Sequence, residues 1–192
     1  MASGLSNQAV QRTGEYLVAA ELSRRGCLAT TFSGTVPDYD LLVVTPKDKT
    51  VRVQVKTIRG KAWQFGDVRR YLRITYDNRT RRQTYRGKVK LRWPWMPCVF
   101  VRLADRNHRR DGDEFYLLRL LHMQNLFAQS YRAYLRKWGG KRPLNPESYH
   151  MTYAVKDLAR FKDQWHVILG RQPAEPARTQ RRAAKVMERR SG

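Results

Sequence analysis

The chain has 192 residues, with 39 Lys and Arg against 16 Asp and Glu, a formal net charge of +23. Two cysteines are too few for a disulfide-framed secreted miniprotein, no apolar run approaches the length of a transmembrane helix, and 41% hydrophobic residues are too many for a disordered polyelectrolyte. What remains is a soluble, core-forming basic protein of single-domain length, whose expected partner is a polyanion, nucleic acid first.

No basic stretch followed by an apolar one opens the sequence, so a cytoplasmic setting is expected. Residues 6–25 read as a helix. Ser6 is its N-cap, Val10, Leu17, Val18 and Leu22 share one stripe, and Gly26 sits where a left-handed C-terminal cap is favoured. Residues 28–32 predict a short strand, and 39–44 a continuous apolar strand after Pro37. Residues 51–58 predict a third strand, with Val51, Val53 and Val55 on one face and Gln54 and Lys56 on the other. Helix, strand, strand, turn and strand open an α/β domain.

The stretch 59–97 has another character. Arg69, Arg70, Arg73, Arg79, Arg81, Arg82, Arg86, Lys88, Lys90 and Arg92 crowd it, with Trp63, Phe65, Tyr71, Tyr76, Tyr85, Trp93 and Trp95 interleaved. It reads as an insertion of one or two long, mostly exposed strands around an Asp77-Asn78 turn. That density of positive charge exceeds what solubility needs, so these cations are expected to grip phosphates and the aromatics to pack beneath them or stack on bases.

Residues 98–103 and 115–120 predict apolar strands joined by the polar loop 105–113. Residues 121–138 predict a helix stopped by Gly139-Gly140, and 141–149 a loop. Residues 155–169 predict a third helix carrying Leu158, Phe161, Trp165 and Ile168. One domain is therefore expected over 1–170, followed by a basic, disordered tail over 171–192 that adds nonspecific affinity. No internal repeat is visible.

Several chemistries lack their signatures. There is no GxGxxG after a strand, no GxxxxGK[ST] and no GxSxG. His108, His122, His150 and His166 have no ligand spacing to each other or to Cys27 and Cys98, so no zinc site is expected and the cysteines read as buried apolar groups. The informative residues are a few acids. Glu15 lies on the first helix, and Asp38 and Asp40 precede the second strand. Gln54 and Lys56 share a face of the third. An acid entering one strand and a Q-x-K pair on its hairpin neighbour can converge as an oxygen cage for a hard divalent cation beside a lysine. Glu21, inside the helix stripe, competes with Glu15 or else pairs with an arginine; Asp38 and Asp40 share strand parity, so periodicity leaves both open.

Gly14-Glu15 on a helix ending at Gly26, then Asp40-Leu-Leu-Val-Val, then Val53-Gln-Val-Lys-Thr, resembles the PD-(D/E)XK nuclease superfamily, and within it the Q-x-K variants similar to Holliday-junction resolvases and homing endonucleases. The resemblance implies a restriction-endonuclease-like α/β core: a helix, a three-stranded meander, and further strands and helices around a mixed sheet. It implies a Mg2+- or Mn2+-dependent endodeoxyribonuclease of bacterial or phage origin acting on DNA. Asp40 would be the central metal ligand, Asp38 the alternative acid in a literal Pro37-Asp38. Glu15 would bind metal directly or through water, Gln54 would offer its amide oxygen, and Lys56 would orient or deprotonate the attacking water. A double-strand break would need two such sites and therefore a homodimer. Two other readings stand beside this one: a DNA-binding protein on the same fold with a decayed site, which the neutral Gln54 favours, and a basic RNA- or ribosome-associated protein, which the arginine and aromatic content favours.

Overall fold

A computed structural model of the chain describes residues 4–32, 38–104 and 112–170. In chain order the elements are α1 (Gly4–Arg24), β1 (Leu28–Thr31), β2 (Leu41–Val44), β3 (Thr50–Ile58), β4 (Ala62–Phe65), β5 (Leu72–Asp77), β6 (Arg82–Lys88), β7 (Pro97–Arg102), β8 (Glu114–Arg119), α2 (Leu120–Lys137), β9 (Met151–Ala154) and the short α3 (His166–Leu169). 3-10 segments of three and seven residues cover Val68–Arg70 and Val155–Phe161.

Helix α1 starts two residues before the expected Ser6, which lies inside it. Its end is as expected. Gly26 adopts φ 78°, the left-handed region open to a residue without Cβ, and lets Cys27 N–H reach Leu22 O (3.1 Å) and Gly26 N–H reach Ser23 O (3.0 Å). That turn sends the chain back as β1. The strands β1, β2 and β3 form an antiparallel meander. Strand β7 then joins β3 in parallel and β8 pairs antiparallel with β7, so the fold is α/β around a mixed sheet ordered β1-β2-β3-β7-β8.

Strand alternation divides the interior in two. On one face, Leu41, Val43, Val53, Val55, Val99, Val101 and Leu117 bury against Val18 and Leu22 of α1. On the other, Phe100, Tyr116 and Leu118 pack against Met123, Phe127 and Tyr131 of α2. The expectation of a mostly exposed 59–97 segment is corrected here: Trp63, Phe65, Val68, Tyr71, Leu72 and Met96 are buried in this second core. The alternating apolar positions lie between the arginines, and β4 has a partner far along the chain in β9. The hairpin of β5 and β6 does turn where expected, Asp77 Oδ1 accepting from Arg79 N–H (2.9 Å) and Thr80 N–H (3.2 Å).

The third helix is also corrected. Residues 155–169 form a 3-10 turn, a break and one short helix, because Asp163 takes φ 54° and Lys162 bridges to Tyr116 of β8. Trp165 still buries, tilted on Phe115. Cys27 and Cys98 are free and buried, as expected. No described helix is long and apolar enough to cross a membrane. The expected tail, Pro37, His108 and most of the 105–113 loop lie outside the described residues.

One close approach sets how α1 meets the sheet. A Cβ on Gly14 would fall 1.9 Å from Thr57 Oγ1 of β3, so only glycine lets the helix lie this near the strand. Gly14→Ala must push the two apart, and it is expected to lower stability by about 1–3 kcal/mol, the cost of overpacking a fitted contact. Urea denaturation checks this; an unchanged midpoint would contradict the contact.

Candidate active site

The site begins where a strand pair ends. The ladder between β2 and β3 runs from Val44↔Thr50 to Leu41↔Val53 and stops, while β3 continues to Ile58. The backbone of Val55 would be left without its neighbour, and buried peptide groups are almost always paired. Two side chains complete it. Asp40 Oδ2 accepts from Val55 N–H at 2.6 Å, and Gln11 Nε2 of α1 donates to Val55 O at 3.1 Å. Asp40 N–H itself donates to Val53 O at 2.8 Å, which fixes the carboxylate at the fork.

Glu15 is 4% exposed on the same face of α1. Its Oε1 accepts from Gln11 Nε2 (3.2 Å) and its Oε2 from Arg12 Nη1 (2.7 Å). Arg12 Nη1 also reaches Phe32 O at 2.8 Å. Burial pushes the Asp40 carboxyl above its ordinary range. The Val55 hydrogen bond and the charge of Lys56 pull it back, Glu15 adds to the rise and Arg12 opposes it. Glu15, Asp40, Lys56 and Arg12 therefore share one electrostatic neighbourhood.

Gln54 is buried, and its Oε1 accepts a weak hydrogen bond from Cys98 Sγ at 3.8 Å across the parallel β3–β7 register. Burial holds the Cys98 thiol protonated, its pKa pushed up to about 12. Gln54 also lines a cavity of about 120 Å3 with Asp38, Arg70, Lys90, Arg92 and Trp93. Asp38 is exposed at φ 75° and faces Arg70 at 3.7 Å, so the fork is built on Asp40 while Asp38 stands at the cavity rim. Glu21 pairs with Arg24 (2.5 Å) and Arg25 on the last turn of α1.

Among the described residues no three carboxylate, imidazole or thiol groups gather, so the donors here are two carboxylates and one amide oxygen. His122 and His166 are exposed, and His150 contacts Gln64 Oε1 at 2.5 Å. The expected phosphate-gripping cations are dispersed. Arg69 is held by Asp67 at 2.6 Å and lies 4.1 Å over Tyr149. Arg79 and Arg81 are in the β5–β6 turn, Arg73, Arg82 and Arg86 stand exposed on the hairpin, Lys88 reaches Asn125, and Lys90 and Arg92 flank the cavity beside Gln54.

Sequence reasoning missed Gln11, Arg12 and Cys98. The first two stand four and three residues before Glu15, a spacing that places them on its helix face. Cys98 meets Gln54 only through strand register, which has no local signal.

No known protein family matches the chain, and no curated protein matches it. Among solved structures, a bacterial homing endonuclease is similar over 94% of this chain and 98% of its own, at 14% identity and a TM-score of 0.43.

The environment of Asp40 has a thermal consequence. Its folded pKa lies above the ordinary 3.8, so its charge opposes folding once pH rises through that folded value, and the penalty is absent below 3.8 where both states are protonated. Asp40→Asn, which keeps an acceptor for Val55, should melt above the parent at neutral pH in EDTA, with the gain shrinking toward pH 3. Melting curves across pH check it; a gain constant with pH would contradict the buried charge.

Proposed function

We propose that the protein is a metal-dependent DNA endonuclease whose site is the β2–β3 fork. The observation that carries this reading is the shared electrostatic neighbourhood of Asp40, Glu15 and Lys56 at one strand edge, with Gln54 two residues before Lys56 on β3. The donors fit a hard divalent cation: all are oxygens, and desolvation of Asp40, with Glu15 adding to it, raises its pKa despite the partners that oppose the shift. Asp40, the Gln54 amide oxygen and Glu15 would hold Mg2+ or Mn2+, Glu15 through lone pairs that Gln11 and Arg12 leave open or through water. A cation held by these residues would supply positive charge to stabilise the phosphodiester under attack.

The remaining roles belong to the chain's own residues. Lys56, beside Asp40, orients the attacking water and steadies the charge that develops on the phosphoryl oxygens. Hydrolysis forms one P–O bond to water and breaks the bond to the leaving sugar oxygen. The net charge of +23 draws the phosphate backbone in, with Arg70, Lys90 and Arg92 lining the cavity beside Gln54. Two copies acting together would be needed for a double-strand break.

A second reading has its own observation. The Arg12 guanidinium already pairs with Glu15, and Cys98 already donates to Gln54, so two of the three donor residues have partners without a cation. A DNA-binding protein without cleavage would look like this. Supercoiled-plasmid nicking in Mg2+ or Mn2+ separates the two. The nuclease reading expects nicking that EDTA abolishes and that Asp40→Ala and Lys56→Ala each reduce by about 10²-fold or more. DNA binding with no nicking in either metal supports the second reading, and nicking that survives both substitutions rejects the site.

A further inference from the structure

Away from the fork, β6 and the C-terminal half of α2 enclose an open groove of about 830 Å3. Its walls carry Arg82 and Arg86 from β6 and Arg132 and Arg136 from α2, and no acidic residue lines it. None of these four arginines pairs with a carboxylate among the described residues, whereas Arg12, Arg24, Arg25, Arg69, Arg70 and Arg102 all do. In a chain with few acids, the fold spends none of them here. The wall is also braced. Gln83 N–H donates to Gly140 O at 2.8 Å, Tyr131 hydroxyl donates to the buried Gln83 side chain, and the Arg132 guanidinium lies 5.7 Å from the Tyr85 ring centroid.

The groove is connected to the fork. Strand β6 starts in the groove at Arg82 and leads through Lys88 to Lys90 and Arg92 at the cavity beside Gln54. Helix α2 spans the same interval in the opposite chain direction, with Leu120 at that cavity and Leu135 and Arg136 in the groove. Six strand steps span about 20 Å, and fifteen helical steps about 22 Å. Either length matches about six base pairs of duplex, at roughly 3.4 Å each.

We infer that this groove is a second contact for the backbone of double-stranded DNA, in which Arg132 and Arg136 with Arg82 and Arg86 hold phosphates, its far end at Arg82 and Arg136 lying about 20–25 Å along the chain elements from the cavity beside Gln54, and Lys88, Lys90 and Arg92 carry the same duplex to the site. Duplex is the fitting partner because a rigid backbone keeps its phosphates on a line of this length, and the groove offers arginine charge with Tyr85 already covered by Arg132, leaving it as floor and not as a stacking platform for bases. The role of the track rests on the fork being the cutting site; the contact itself does not.

The test is the salt dependence of binding to a fluorescent 24-base-pair duplex, measured by anisotropy in EDTA so that cleavage plays no part. Arg132→Ala with Arg136→Ala should flatten the slope of log K against log salt by about 1.8, two phosphate contacts at about 0.9 each, and weaken binding on the order of tenfold at moderate salt. Arg82→Ala with Arg86→Ala, on the facing wall, should do the same, and it decides the matter if the first pair fails to fold by circular dichroism. Arg24→Ala with Lys49→Ala removes equal charge from α1 and the β2–β3 turn and should leave the slope nearly unchanged. A parental slope in the folded groove variants, or an equal loss in the control, overturns the contact. Competition by single-stranded DNA or RNA as strong as by duplex overturns the partner. Because nicking is scored separately, loss of the nuclease reading leaves this result standing, and the reverse holds.

Discussion

The backbone of Val55 is the constraint on which the site depends. Strand β3 is nine residues long and β2 only four, so β3 outlasts its neighbour by several residues. A peptide group stranded inside the protein costs about 1–3 kcal/mol if it is left unpaired. Asp40 takes the N–H and Gln11 takes the C=O, and so the acid that enters β2 and the helix that carries Glu15 are both tied to one residue of β3. The same fork therefore serves stability and assembles two carboxylates. The close seat of Gly14 on Thr57 makes that second tie possible by letting α1 approach the strand.

Negative charge withdrawn from water, half-buried at Asp40 and buried at Glu15, is the consequence. Asp40 and Glu15 are withdrawn from water near each other, and the protein answers with Lys56, Arg12 and the Val55 N–H. On the proposed reading, whether that answer is complete decides between cutting and binding alone. Arg12 compensates Glu15 directly, while Asp40 remains raised in pKa despite all its partners, which leaves it as the carboxylate for which an added cation would do most.

Much of this was legible from local pattern. The helix, its Gly26 cap, the meander and the split of Val53 and Val55 from Gln54 and Lys56 follow from periods of 3.6 and 2 that need no distant partner. The 59–97 segment was misjudged because its arginines mask an apolar set at Trp63, Phe65, Val68 and Leu72, and because the strand that completes it, Met151–Ala154, lies far along the chain. Asp40 was preferred to Asp38 from the start of the apolar strand, and its bond to Val55 N–H follows from where the β2–β3 ladder ends, a matter of register that parity could not supply. Cys98 was invisible for the same reason. Gln11 and Arg12 were within reach of helical spacing, and Arg12 was passed over because one arginine among so many carries little signal.

Anomalous diffraction from crystals soaked in Mn2+ tests the central claim most directly, because it locates the ion independently of any activity. The account predicts a peak within about 2.0–2.6 Å of an Asp40 carboxylate oxygen, with the Gln54 amide oxygen turned toward it. A fork with no peak, with Arg12 still on Glu15 and Cys98 still on Gln54, would contradict it.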